Sequence, residues 1–232
     1  MMSKDKNSDI LDSKDLDIID SKEYRRTRPE KNAITEEGLE KLLSQGSKMD
    51  LALDTHMNDL PDNYVVLVVV KPSNYQGARR ALFRRLISRE GLRGIYITIN
   101  KRYDNIKAEL KQEKLDADNL HFIDMISNIG EENAGKPGVD FINSATELTE
   151  LMLVAEKRLD EIERGKGFLI FDSISTLLVY NKSDPVEKMA HNLISLINGA
   201  EAKGVLLMMD TEEYKGTMQT ISQFCDKMFR LD

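Results

Sequence analysis

The sequence predicts an α/β fold in three layers, a mainly parallel central sheet covered by helices on both faces. Two apolar runs carry that prediction. Phe168–Phe171, ending in Asp172, and Tyr64–Val70 show no alternation of apolar and polar residues. That suits parallel strands covered on both sides rather than strands with one wet face. The third observation is helical spacing elsewhere in the chain. Leu148, Leu151, Met152, Ala155 and Leu159 within 145–164, and Met189, Leu193, Leu196 and Ile197 within 185–203, each give one apolar side that can lie on a sheet. The methionines in these helices read as core filler.

After Tyr64–Val70 comes a polar loop, Lys71-Pro72-Ser73-Asn74-Tyr75-Gln76-Gly77, and then a helical segment from Ala78 to about Glu90. Strand, turn and helix in this order is the setting of a Walker A phosphate loop, G-x-x-x-x-G-K-[ST], whose backbone N–H groups cradle phosphates while its Lys and hydroxyl reach phosphate and Mg²⁺. Setting Gly77 on the second glycine puts Pro72, Ala78 and Arg79 where Gly, Lys and Ser/Thr are required. Pro72 also has no N–H to donate. The residues of this degenerate loop that remain as candidates for phosphate contact are Ser73, Asn74, Gln76, Gly77, Arg79 and Arg80, with Arg79 or Arg80 as the replacement cation. The alternative for Arg79, Arg80, Arg84, Arg85 and Arg89 is a solvated helix face whose other side, Ala78, Ala81, Leu82 and Leu86, packs on the sheet, and that reading is preferred for most of them.

Asp172 is expected at the carboxyl end of its strand, the edge that faces the ligand crevice in open α/β sheets. A carboxylate there can hold Mg²⁺, directly or through water. Equally, Asp172, Ser173 or Ser175 can cap the helix that follows.

With these segments in place, the chain resembles the KaiC-like branch of the RecA-type P-loop ATPases from about Leu60 to Asp232. Leu60-Pro61 looks like the family's entry segment, Gly94–Ile99 like its second strand and Asn119–Asp124 like its third. Phe168–Tyr180 resembles the Walker B strand and turn, Gly204–Asp210 the next strand and Phe224–Leu231 the closing one. The resemblance implies a RecA-like fold and a glutamate pair after the second strand that activates water. Those two positions hold Asn100 and Lys101, neither of which can serve as a carboxylate base. With the Walker lysine and both glutamates missing, ordinary ATP hydrolysis is not expected.

At 232 residues and 41% hydrophobic, the chain can bury one sizeable core, and a single Cys225 leaves no intramolecular disulfide. Cys225 lies among apolar neighbours and reads as buried rather than reactive. No apolar run reaches the ~20 residues that span a bilayer, and the start of the chain has no signal core, so a cytoplasmic location is expected. Net charge is -7, which disfavours a general nucleic-acid surface.

Residues 1–32 read as a flexible polar tail, with Tyr24–Arg28 its one cationic cluster, and 33–59 as an appended helix and linker in which Thr35 caps a helix through Leu43. The main domain is placed at 60–232. Ser127–Gly138 is a Gly-rich loop without phosphate-motif spacing, and His56, His121 and His191 share no metal-ligand spacing.

These observations lead to a degenerate RecA/KaiC-like domain, a pseudo-ATPase acting as a regulatory or assembly module through protein contacts. Any cofactor would be ATP or ADP with Mg²⁺ at Asp172. The resemblance implies a homo-oligomer or a paralogous RecA-like subunit as partner. Two alternatives remain: an atypical active ATPase, and a recombination accessory that binds DNA through Arg79–Arg93.

Overall fold

A computed structural model describes residues 48–127 and 135–231, all within one compact unit, Leu42–Asp232. The tail at 1–32, the helix expected at Thr35–Leu43 and positions 128–134 of the Gly-rich loop lie outside the described residues.

The described strands are β1 (Val65–Val70), β2 (Arg93–Thr98), β3 (Leu120–Asp124), β4 (Val139–Phe141), β5 (Gly167–Asp172), β6 (Lys203–Met209) and β7 (Lys227–Leu231). They form one sheet in the order β4-β3-β2-β5-β6-β1-β7, and every pairing is parallel. The helices are α1 (48–57), α2 (Tyr75–Phe83), α3 (Tyr103–Gln112), α4 (Leu148–Asp160), α5 (Ile174–Tyr180), α6 (Ser183–Gly199) and α7 (Lys215–Ser222). A π-helical segment, Arg84–Arg89, continues α2. The expected helices at 145–164 and 185–203 are therefore present but shorter, as Leu148–Asp160 and Ser183–Gly199.

Alternation along β1 explains the three layers. Val65, Leu67 and Val69 face one core, shared with α4, α5, α6 and α7, while Val66, Val68 and Val70 face a second, shared with α1, α2 and α3. All six are completely buried, which is why the strand reads as one unbroken apolar run. This is a three-layer α/β arrangement. β6 stands between β1 and β5.

One position in the sheet depends on a missing side chain. Gly94 of β2 pairs with Phe168 of β5, and a methyl group at Gly94 would overlap the Phe168 ring. The ring fills the space that a Cβ would otherwise take.

Cys225 is half-buried, and burial, with the Asp226 charge adding to it, pushes its thiol up to about 12. No described helix is long and apolar enough to cross a membrane.

Candidate functional site

The chain leaves β2 and β5 in opposite directions. α3, after β2, buries Ile106 and Leu110 in the core on the α2 side, whereas α5, after β5, buries Ile174 and Leu177 in the other. Neighbouring parallel strands that part in this way open a crevice at their carboxyl ends. Thr98 and Asp172 are the paired residues at that edge.

Asp172 is fully buried. A lone ionised carboxylate there would be prohibitively unstable, so its partners decide its state. The Tyr96 hydroxyl donates to Oδ2, and Asn100 Nδ2 donates to Oδ1 at 2.8 Å. Arg79 Nη1 stands 3.8 Å from Oδ2. Burial pushes the Asp172 carboxyl up to about 8; the guanidinium and both donors favour the anion and oppose that shift. Burial also pushes the Tyr96 hydroxyl far up, so it is a donor at every physiological pH.

Arg79 reaches this place from α2 and is 1% exposed. Its Nη2 pairs with Glu109 of α3, whose other oxygen takes Lys101 Nζ. Two cations thus meet one glutamate beside the aspartate. Asn100 is the second hub: its amide also donates to the Tyr75 hydroxyl at 2.8 Å, and its carbonyl oxygen accepts from Thr176. Ser173 caps α5 by accepting from Thr176 N at 3.4 Å, so the capping role weighed for Asp172 and Ser173 falls to Ser173. Ser175 instead accepts from Met209 N at 2.7 Å.

The loop after β1 is shorter than expected. Helix α2 begins at Tyr75, leaving only Lys71-Pro72-Ser73-Asn74 as a turn, closed by Asn74 N donating to Lys71 O at 2.9 Å. Ser73 and Asn74 lie in that turn, while Gln76, Gly77, Arg79 and Arg80 are helical. A G-x-x-x-x-G nest needs a longer non-helical stretch than this. Of the named candidates, Arg79 meets Asp172, Arg80 pairs outward with Glu113 at 3.5 Å, and Gln76 is exposed.

Tyr96, Glu109, Tyr75 and Thr176 belong to the site although no motif marks them. Asn100 and Lys101 were conspicuous only as positions lacking carboxylates. The parallel register that sets Thr98 beside Asp172 is the signal that brings Asn100 into reach.

Arg84 and Arg85 of the row are paired too. Arg84 bonds Asp50 at 3.0 Å and Glu113 at 3.2 Å, and Arg85 bonds Asp54 at 2.6 Å. The solvated-face reading does not hold for Arg79, which is buried, and holds only in part for Arg84 and Arg85, which are partly covered. His56 stacks on Phe229 with centroids 4.6 Å apart, His121 bonds Asp140 at 2.7 Å, and His191 meets Phe224 edge-on.

Among solved structures, the chain is similar to the crystal structure of a KaiC-like protein, PH0186, from the hyperthermophilic archaeon Pyrococcus horikoshii OT3. The TM-score is 0.45 at 11% identity, covering 65% of this chain and 63% of that one. The chain therefore spans just under two thirds of that protein's length. No curated protein sequence matches it. A family of unknown function, DUF7504, matches residues 65–231, from the first residue of β1 to the last of β7, and the chain belongs to that family.

Proposed function

We propose that this chain is a non-hydrolysing RecA/KaiC-like module that acts through protein contacts, with its ancestral nucleotide site filled by its own side chains. One observation carries the reading: the buried Arg79 guanidinium lies 3.8 Å from Asp172, where a magnesium-loaded nucleotide needs an open carboxylate edge. Mg²⁺ demands oxygen ligands at about 2.0–2.1 Å in near-octahedral array. Here Tyr96 and Asn100 already occupy the carboxylate. The short turn at 71–74 supports the same reading, because it offers no nest of N–H groups for phosphate. So do Asn100 and Lys101, which supply no base to activate water. The carboxylate pairing of Arg80, Arg84 and Arg85 weighs against the DNA-binding alternative, since phosphates would have to displace those partners.

Calorimetric titration with ATP and with ADP, with and without Mg²⁺, on the wild type and Asp172→Ala, tests this. The expected result is no binding at millimolar nucleotide and no phosphate release. Micromolar, Mg²⁺-dependent binding that needs Asp172 would overturn it in favour of an atypical ATPase.

A further inference from the structure

We draw no further inference here: the strongest candidate, the cleft of about 1140 Å³ at the amino-terminal edge of the sheet, between the segments that lead into β1, β2, β5 and β6, carries nothing because its cations and carboxylates stand side by side, Lys203 with Glu90 at 2.7 Å and Arg164 with Glu201 at 3.6 Å, and nothing in the structure shows which ligand it would take.

Discussion

Arg79 Nη1 of α2 stands 3.8 Å from the Asp172 carboxyl of β5, with side-chain exposures of 1% and 0%. At that depth neither group can be left unpartnered without a large penalty, because water no longer solvates it and the local dielectric is low. The pair is not isolated: Arg79 also holds Glu109, and Asp172 also accepts from Tyr96 and Asn100. α2, α3, β2 and β5 are thus tied at the sheet's carboxyl edge by one polar cluster.

Removing one member of such a cluster strands the others. Arg79→Met should destabilise the protein by about 3–5 kcal/mol, the usual loss when one partner of a buried ion pair is deleted. Above pH 8, where Asp172 is ionised, Asp172→Asn in the same background should recover part of that loss, since the stranded carboxylate is gone. Urea denaturation of the wild type, both single variants and the double variant gives the coupling. Additive losses would mean that the two charges do not sense each other.

A smaller change tests the sheet. Gly94→Ala adds one methyl group where the fully buried Phe168 ring already lies. The ring must tilt within a packed core, so a loss of about 1–3 kcal/mol is expected. Shortening the obstacle in the double variant Gly94→Ala/Phe168→Leu should make the alanine cheaper than it is alone. Thermal unfolding of the two alanine variants against their glycine parents measures this, and an equal alanine cost in both backgrounds would rule the clash out.

Legibility in the sequence followed how much of each element's neighbourhood is local. β1 and β5 announce themselves, because both faces are buried and their runs, Val65–Val70 and Phe168–Phe171, are apolar throughout. β4 does not, since three residues, Val139–Phe141, carry no period. α3 offers only Ile106 and Leu110 as buried positions, too few to mark its face. At the site, Asp172 is legible from the run that precedes it. Arg79 is legible as a candidate cation but its pairing is not: its partner Glu109 lies thirty residues on, in the helix without a signal. Gly77 invited placement in a loop, yet it sits in the first turns of α2, where a Cβ would come to 3.7 Å from Met49 Cε of α1. That neighbour belongs to tertiary structure, which composition and spacing do not encode.

The elevated Asp172 pKa makes stability depend on pH with a definite sign. Burial raises the folded-state value from the ordinary 3.8 to about 8. Between these values the native chain retains a proton that the unfolded chain has released. Each rise in pH through the window therefore favours unfolding, and stability falls as pH approaches 8. Asp172→Asn has no proton to lose and keeps the amide as a partner for Tyr96, so its stability should be flatter over the same range. Urea midpoints at pH 5.5 and pH 8 for both proteins isolate the effect, because every other group contributes equally to each. A larger fall for the wild type than for the variant is the expected outcome. Equal falls would mean that Arg79, at 3.8 Å, and the donors from Tyr96 and Asn100 hold Asp172 ionised throughout. The cluster would then be a permanent ion pair, and the Arg79→Met loss should not change between the two pH values.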